Sequence, residues 1–384
     1  MMRNSGSISL QRAYAALFAL ALSLHFSAAF AGASIVVDVQ TGAVLAEENA
    51  FQRWYPASLT KLMTAYIAFS AIKSGTLTAD SPVVISANAA KQPPGKMGYK
   101  PGNRLTLDNA LKIMLVKSAN DIAVAVGEAV GGVNYPDAMN AAAAKIGMTG
   151  SHFVNANGLH SAQNYTTARD LAILTRALRS EFPEFASYFS IEAIKYGDHI
   201  ERNYNILLGR FAGADGMKTG FVCASGFNLV GAATRDGRTL VAVVLGEKSQ
   251  VGRAEKAADL LADGFAKPSG IETLATLKPS GEEANPATDM RKQVCTEAAA
   301  ADRWDGREID GRVTFSTPNI HAMERDPVAV LVGLMPANSA DGWPLVVPVP
   351  TPRPAFTPAA IAPLERAELR KAVPATAQIK LKAK

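Results

Sequence analysis

Strand-forming sequence lies on both sides of a long helical stretch, and this order limits the folds open to the 384-residue chain. Two short strands are predicted at residues 34–39 and 43–47, and the pattern from residue 56 to about 180 is mainly helical. Strand patterns resume from about residue 216, and a helix at 253–265 closes the unit. The order predicts one antiparallel sheet covered by helices, with a second, helical lobe.

The clearest turn signal lies within the second set of strands. Two alternating apolar runs, residues 226–234 and 238–245, are joined by Asp236-Gly237. This dipeptide favours the backbone angles of a two-residue hairpin. We therefore expect these two strands to pair with each other.

Three short motifs follow one another along this framework. They are Ser58-Leu59-Thr60-Lys61, Ser118-Ala119-Asn120 and Lys218-Thr219-Gly220. Each lies at the end of a predicted element, so one cleft between the sheet and the helical lobe can hold all three. Together they supply a nucleophile, its base, a proton relay and an anion-binding strand, which are the parts of an acyl-transfer site.

Sequence context distinguishes the first motif from a chance repeat of it. Ser58 begins a helix that is predicted to be buried on nearly all sides, and the first turn places Lys61 on the same face. The free N–H groups at a helix start favour the negative charge that develops during acyl transfer. Ser70 and Lys73 repeat the spacing at the other end of this helix, where we interpret them as ordinary polar residues.

The other two motifs also occupy suitable positions. Ser118 and Asn120 follow an amphipathic stretch at 107–116 and precede an apolar helix at 122–130, so they lie in a short connection between helices. Lys218-Thr219-Gly220 comes directly before residues 221–233, which have strand character, and is therefore expected to line a sheet edge. A glycine there permits close approach of substrate to the backbone.

These residues resemble those of the serine-type D-alanyl-D-alanine carboxypeptidases, the low-molecular-mass penicillin-binding proteins of peptidase family S11. The similarity runs from about residue 33 to about residue 265. Beyond the motifs it includes residues 35–38, 116–121, 153–159, 165–172 and 203–208. The resemblance implies an α/β (α+β) fold of the β-lactamase/transpeptidase type. In that fold a five-stranded antiparallel sheet is flanked by helices and a helical lobe, here followed by a low-complexity C-terminal extension.

The resemblance also implies a role for each residue of the first two motifs. Ser58 is expected to be the acylated nucleophile, and Lys61 is expected to take its proton as a neutral amine. Burial and the like charge of Lys218 both lower a lysine pKa, which suits that task. Ser118 is expected to relay a proton to the leaving D-alanine nitrogen, and Asn120 to hold the amide of the substrate.

The third motif is expected to bind the substrate's terminal carboxylate through Lys218 and Thr219, with Gly220 beside them. The backbone N–H groups of Ser58 and Phe221 are expected to form the oxyanion hole. Many relatives carry a polar or imidazole side chain directly after the third motif, whereas this chain has Phe221. Only the backbone of this residue is expected to take part in the chemistry, so we expect catalysis to be retained. The preference for substrate groups near the carboxylate is what the departure puts in doubt.

The implied reaction is removal of the terminal D-alanine from peptidoglycan stem pentapeptides through an acyl-enzyme on Ser58, with β-lactam antibiotics as acylating inhibitors. A D,D-endopeptidase that cleaves cross-links with the same site is the main alternative, and the sequence does not separate the two. A β-lactamase needs a carboxylate that activates water, and residues 181–198 contain Glu181, Glu184 and Glu192 without a match to such a loop. A peptidoglycan-binding scaffold with an inactive site is a further alternative.

The first 31 residues are predicted to be a signal peptide. Arg3 and Arg12 precede an apolar core at 13–24, and Ala29-Phe30-Ala31 has the small-residue pattern of a cleavage site. The core is too short to span a bilayer comfortably. The expected location is therefore the periplasm, and a short uncleaved anchor is the alternative.

The rest of the chain is predicted to contain a catalytic domain at 32–266, a divergent region at 267–343 with a few strands, and a basic, Pro-rich tail at 344–384. Proline at this density favours an extended, solvated chain. We therefore interpret the tail as a disordered spacer. Association of its basic end with a membrane surface is the alternative.

Net charge, histidine spacing and the two cysteines bear on partners, metals and a disulfide. A net charge of +5 is mild for this length, so no nucleic-acid partner is expected. The histidines lack zinc-ligand spacing, so we expect neither a metal nor a cofactor. Cys223 and Cys295 are able to pair in an oxidising compartment, but the predicted strand position of Cys223 favours a small buried apolar residue.

Overall fold

The structure is a computed structural model that describes residues 32–336 apart from 269, 271, 280, 282–285 and 303–312. The predicted signal peptide at 1–31 and the predicted tail at 344–384 lie outside the described residues. Both therefore stay predictions.

Eleven strands are described. They are β1 (Ala33–Asp38), β2 (Ala43–Glu48), β3 (Pro82–Val84), β4 (Arg104–Thr106), β5 (Ala193–Tyr196), β6 (His199–Arg202), β7 (Ala214–Val222), β8 (Gly226–Arg235), β9 (Arg238–Glu247), β10 (Glu272–Thr273) and β11 (Ala329–Leu331). The described α-helices are α1 (Thr60–Lys73), α2 (Ala87–Ala90), α3 (Leu107–Val116), α4 (Asn120–Gly131), α5 (Tyr135–Ile146), α6 (Ala168–Glu181), α7 (Gln250–Ala266), α8 (Arg291–Val294) and α9 (Glu297–Asp302). Short 3-10 segments occupy Ala57–Leu59, Gly132–Asn134 and Pro183–Ser190.

The main sheet is antiparallel and has the strand order β10-β2-β1-β9-β8-β7. Five of these strands are the expected ones, and β10 adds two residues at one edge. Asp236 and Gly237, with φ angles of 50° and 77°, join β8 to β9, which confirms the predicted hairpin. The predicted class of fold, an antiparallel sheet with a helical lobe, is confirmed.

Side chains alternate between the two faces of the sheet along each strand, and both faces are buried. On β1, Ile35 and Val37 belong to the core shared with α1, α3, α4 and α6, whereas Val36 belongs to the core beneath α7. Helix α7 contributes Ala254 and Leu261 to that second core, and their spacing places them on one helix face. The sheet therefore packs against helices on both faces.

Helix α1 passes through the centre of the helical lobe, and every residue from Thr60 to Phe69 is buried. This confirms the predicted helix buried on nearly all sides, but the α-helix begins at Thr60, and Ser58 lies in the 3-10 segment Ala57–Leu59 directly before it. At its far end the Ser70 hydroxyl donates to the Tyr66 carbonyl oxygen, and Lys73 contacts the Glu181 carbonyl oxygen. The second Ser-x-x-Lys repeat thus makes ordinary structural contacts, to its own helix through Ser70 and to the end of α6 through Lys73.

The described residues after α7 pack against the region that carries the motifs. Strand β10 pairs with β2, and β11 lies parallel to β5. Thr288 forms a bridge with Trp54, and Val332 is buried in the core of the helical lobe. Within the described residues the C-terminal region thus adds short strands to existing sheets. The division at residues 266 and 267 stays a prediction.

Two local expectations were wrong. The stretch 221–233 is not one strand, because β7 ends at Val222 and a turn precedes β8. The third motif therefore lies inside β7, which forms the open edge of the main sheet. Cys223 is an exposed turn residue bonded to Cys295 at 2.09 Å, and not a small buried strand residue. The turn brings it to the C-terminal segment, where Met290 N donates to the Ala224 carbonyl oxygen over 3.0 Å.

Candidate active site

A cleft of about 750 Å³ lies between β7 and the helical lobe. Residues of all three motifs line it, together with Pro94, Gly95, Asn157, Leu159, Tyr204, Phe227 and Arg253. Of the eight predicted site residues, six line its surface: Ser58, Ser118, Asn120, Thr219, Gly220 and Phe221. The remaining two, Lys61 and Lys218, are buried, with 0% and 1% of their surface exposed.

The turn that carries Ser58 is held from two sides. Ala57, directly before it, has a left-handed φ of 49°, which costs a non-glycine residue about 1–2 kcal/mol. The buried side-chain amide of Asn228 donates to the carbonyl oxygens of Tyr55 and Pro56 over 3.0 and 3.2 Å. A Cβ at Gly158 would lie 1.7 Å from the Ala57 carbonyl oxygen, so only glycine fits there. These contacts fix the backbone of the turn that carries Ser58.

Lys61 lies one helical turn from Ser58 and contacts it directly. Its Nζ donates to Asn120 Oδ1 at 3.0 Å and to the Asn157 carbonyl oxygen at 2.6 Å, and it lies 2.9 Å from Ser58 Oγ. Burial lowers the pKa of Lys61 well below its usual 10.5. The charge of Lys218 lowers this pKa further, and that of Asp121 opposes the shift. A neutral amine at this position can accept the hydroxyl proton of Ser58.

The second motif lies between α3 and α4, as the sequence predicts. Ser118 has a left-handed φ of 61°, and its Oγ is a buried atom with no hydrogen-bond partner in the described part of the chain. Asn120 N donates to the Gly95 carbonyl oxygen over 2.7 Å. The buried carboxylate of Asp121 accepts hydrogen bonds from the N–H groups of Met97 and Gly98. The loop around residues 94–98 is thereby fixed as one wall of the cleft.

The third motif places a second lysine behind the opposite wall. Lys218 Nζ donates to the Thr219 carbonyl oxygen at 3.0 Å. Burial, and then the charge of Arg253, lowers the pKa of Lys218 from 10.5 to about 7. Arg253 itself is 4% exposed and donates to the carbonyl oxygens of Gly220 and Asn228 over 3.2 and 3.3 Å. Burial lowers the pKa of Arg253 to about 9.

Gly220 lies against the turn that carries Ser58. A Cβ at this position would lie 2.8 Å from the Pro56 carbonyl oxygen, 3.1 Å from Ser58 N and 3.2 Å from Ala57 Cβ. The sequence predicted that this glycine allows a substrate to approach the backbone. In the structure it also allows β7 to pack directly against the turn that carries Ser58.

The charges around the cleft are mostly positive. No Asp or Glu occurs among the described residues that line it. The cationic side chains are Lys117 and Arg253 at its surface and Lys218 behind it, and of these only Lys117 has a salt bridge among the described residues, with Glu201 at 2.6 Å. Buried cations without a counter-ion are costly, and a bound anion relieves that cost. The arrangement therefore favours a ligand with a carboxylate.

The acidic residues considered as possible water-activating groups lie elsewhere. Glu181 accepts a hydrogen bond from the Tyr66 hydroxyl, and Glu192 pairs with Arg325. Glu184 is exposed in a 3-10 segment. In the described structure none of the three lines the cleft.

Two residues of this site were not singled out from the sequence. Asn157 contributes its backbone carbonyl to Lys61, and Arg253 supports the backbone of the third motif. Asn157 lies in the family-like segment 153–159, which was the only signal for it. Arg253 stands at the start of α7 and carries no local pattern that marks it as buried.

In the described ranges no group of three or more His, Cys, Asp or Glu is placed to hold a metal ion. Of the helices in those ranges, none combines the length and apolar character needed to cross a membrane.

Comparison with known proteins gives matches over the region that contains the site. The sequence profile of peptidase family S11, described as D-alanyl-D-alanine carboxypeptidase, matches residues 22–249. The D-alanyl-D-alanine carboxypeptidase DacD of Salmonella typhimurium is 35% identical over 262 residues, which cover 66% of this chain and 67% of that protein.

Solved structures also match. The D-alanyl-D-alanine carboxypeptidase DacD from Francisella tularensis has a TM-score of 0.60 and 33% identity, covering 62% of this chain and 71% of that one. Penicillin-binding protein D2 from Listeria monocytogenes, solved in an ampicillin-bound form, has a TM-score of 0.54 and 31% identity. That match covers 61% of this chain and 97% of the Listeria chain.

Proposed function

We propose that this chain, which belongs to the D-alanyl-D-alanine carboxypeptidase family, removes the terminal D-alanine from peptidoglycan stem peptides. The observation that carries the proposal is the contact between Ser58 Oγ and a buried, desolvated Lys61 amine in a cleft lined by cationic groups. The contact between Ser58 and Lys61 suits nucleophilic attack on an amide. The cationic groups of the cleft suit a substrate that ends in a carboxylate.

Acylation begins at Ser58. Neutral Lys61 takes the hydroxyl proton over the 2.9 Å hydrogen bond as Oγ attacks the carbonyl carbon of the penultimate D-alanine. The hydrogen bonds from Lys61 to Asn120 and Asn157 hold the amine in place, so little motion is needed for the transfer. The product of this step is an ester on Ser58.

The N–H groups of Ser58 and Phe221 stabilise the oxygen that becomes negative. Gly220 brings these two backbones together, since a Cβ there would already be 3.1 Å from Ser58 N. One such donor contributes roughly 3–4 kcal/mol to transition-state stabilisation. Ser118, whose Oγ has no other partner among the described groups, passes the proton on to the leaving nitrogen.

The remaining residues position the peptide. The Asn120 side chain lies at the cleft surface, where it can hold the substrate amide, and its Oδ1 already accepts from Lys61. Thr219 and Lys218 bind the terminal carboxylate, with Arg253 nearby. Water then hydrolyses the ester and frees Ser58. β-Lactams acylate the same serine, but opening of the lactam ring leaves the departing nitrogen attached to the acyl group, so the ester persists and the compounds act as inhibitors.

The proposal is tested by the release of free D-alanine from a peptide that ends in Lys-D-Ala-D-Ala. We expect release by the wild type and none by Ser58→Ala, and from the same peptide with an amidated C terminus we expect only slow release of D-alaninamide. No release from any peptide, together with cleavage of cross-linked muropeptides, would show an endopeptidase. Rapid hydrolysis of nitrocefin would show a β-lactamase, and absence of all three activities would leave a peptidoglycan-binding scaffold.

We also propose export to the periplasm, with residues 1–31 as a signal peptide and 344–384 as a solvated spacer. The support is the charged, apolar and small-residue pattern of the first segment and the proline content of the second. The test is the N-terminal residue of the protein recovered from cells, which should follow Ala31. Membrane fractionation of the full chain and of a chain ending at residue 343 distinguishes a spacer from a membrane-associated tail.

A further inference from the structure

An apolar wall borders the carboxylate-binding part of the cleft. Phe221 is 37% exposed and is paired across β7 and β8 with Phe227, which also lines the cleft. The ring centroids are 4.2 Å apart and the rings are inclined by 31°. An exposed aromatic pair at the surface of a ligand cleft offers apolar area that only a ligand can cover.

The wall is adjacent to the position of the terminal residue of the substrate. Thr219 and Phe221 are two residues apart on one strand, so they face the same side at about 7 Å spacing. Arg253 contacts both the aromatic pair and the third motif. Its guanidinium lies 5.6 Å from the Phe227 ring centroid and donates to the Gly220 carbonyl oxygen. A carboxylate at Thr219 therefore brings the α-carbon of the same residue close to the Phe221 ring.

We propose that Phe221 and Phe227 bind the side chain of the leaving residue, and that the enzyme accepts terminal D-amino acids with extended apolar side chains, such as D-leucine, in addition to D-alanine. This inference rests on the proposed carboxypeptidase function. The methyl group of D-alanine covers only a small part of two rings, whereas a leucine side chain reaches across Phe221. The cleft of about 750 Å³ has the volume for it.

The reaction itself is unchanged. The amide bond to the terminal residue breaks, and its nitrogen takes the proton that left Ser58. The penultimate carbonyl carbon becomes an ester on Oγ, and water then supplies the hydroxyl of the new carboxylate and the proton that returns to Ser58. Only contacts of its side chain decide which leaving residue is preferred. These contacts change the ratio of kcat/KM for two peptides that differ in the terminal residue.

The test compares peptides that end in D-Ala-D-Ala and D-Ala-D-Leu, with the terminal amino acid measured by chromatography. Wild-type kcat/KM for the D-leucine peptide is expected to equal or exceed that for the D-alanine peptide. Phe221→Ala should lower the ratio of the two values about tenfold. Val133→Ala, at a residue 89% exposed in the Gly132–Asn134 turn, is the control and should leave the ratio unchanged.

Acylation of Ser58 by a fluorescent penicillin reports separately whether each variant is folded and competent. If Phe221→Ala fails to fold, Phe221→His, with less apolar surface, should show a smaller fall in the same ratio. Release of D-alanine without release of D-leucine by the wild type would overturn the inference and leave the proposed function intact. An unchanged ratio in an acylation-competent variant would also overturn it. No release from either peptide would overturn both.

Discussion

Substitution of Gly220 by alanine tests how the third motif is placed against the nucleophile. The added methyl group would lie 2.8 Å from the Pro56 carbonyl oxygen, where ordinary contact begins at 3.4 Å. It would also lie 3.1 Å from Ser58 N and 3.2 Å from Ala57 Cβ. None of these atoms belongs to a flexible side-chain end, so the two backbones must separate by about 0.6 Å (3.4 − 2.8).

Such a separation has two costs. Overpacking of a tight contact destabilises a protein by about 1–3 kcal/mol. Displacement of reacting groups by ~1 Å can slow an enzyme by about a hundredfold, so 0.6 Å is expected to cost at least about tenfold. The Asn228 hydrogen bonds to Tyr55 and Pro56 oppose any adjustment of the turn that carries Ser58. Most of the movement must therefore occur in β7, which carries the oxyanion N–H of Phe221.

The assay is the second-order rate of acylation by a fluorescent penicillin, with the melting temperature measured in parallel. Gly252→Ala is the matched control, because a Cβ there meets only the side-chain oxygens of Ser249 and Glu247. Gly220→Ala should acylate at least about tenfold more slowly and melt at a lower temperature, while the control stays near wild type. Wild-type acylation and melting in Gly220→Ala would refute the packing argument.

Three further predictions concern the cations and the disulfide. Lys218 has a folded pKa of about 7 and a usual value of 10.5, so the unfolded chain binds the extra proton between these values. Lys218 should therefore add up to about 1.4 kcal/mol per pH unit to the free energy of unfolding between pH 7 and pH 9, and Lys218→Met should remove this share in urea titrations, while the share of Lys61, whose pKa is also lowered, stays. Arg253→Met should raise KM for carboxylate-ended peptides about tenfold or more, because it removes a cation from the cleft together with the donor that holds the Gly220 carbonyl oxygen. Replacement of both Cys223 and Cys295 by serine should lower the free energy of unfolding by about 2–4 kcal/mol, measured in urea, because the bridge closes a separation of 72 residues.

Local patterns in the sequence predicted the elements that carry the site. The amphipathic stretch at 107–116 has the same first and last residues as helix α3. Its N-terminal cap Thr106 accepts the Asn109 N–H, and its apolar face is continuous. The Asp236-Gly237 hairpin has the backbone angles that the dipeptide favours. In both cases, neighbours in sequence determine the structure.

The parts that sequence reasoning missed depend on distant contacts. Arg253 is buried because it donates to carbonyl oxygens of three separate segments, at Gly220, Asn228 and Tyr204. No pattern in the helix itself indicates these partners. Cys223 leaves the sheet one residue after β7 ends, and its partner lies in a segment without family resemblance. The tertiary fold brings such pairs together, so a local pattern cannot reveal them.

The docking of the C-terminal region was missed for a similar reason. Strand β11 has three residues and gains its hydrogen bonds from β5. Val332 and Leu334 are buried in the core that the helical lobe contributes to. Short segments of this kind are stable only against a surface that already exists.

The claim that Ser58 is the nucleophile is tested most directly by mapping the residue that penicillin acylates. The wild-type protein is incubated with penicillin, digested, and analysed by mass spectrometry, with Ser58→Ala treated in the same way. The adduct is expected on the peptide that contains Ser58, and Ser58→Ala should carry none. An adduct on another residue such as Ser118, or equal labelling of both proteins, would contradict the assignment of the site.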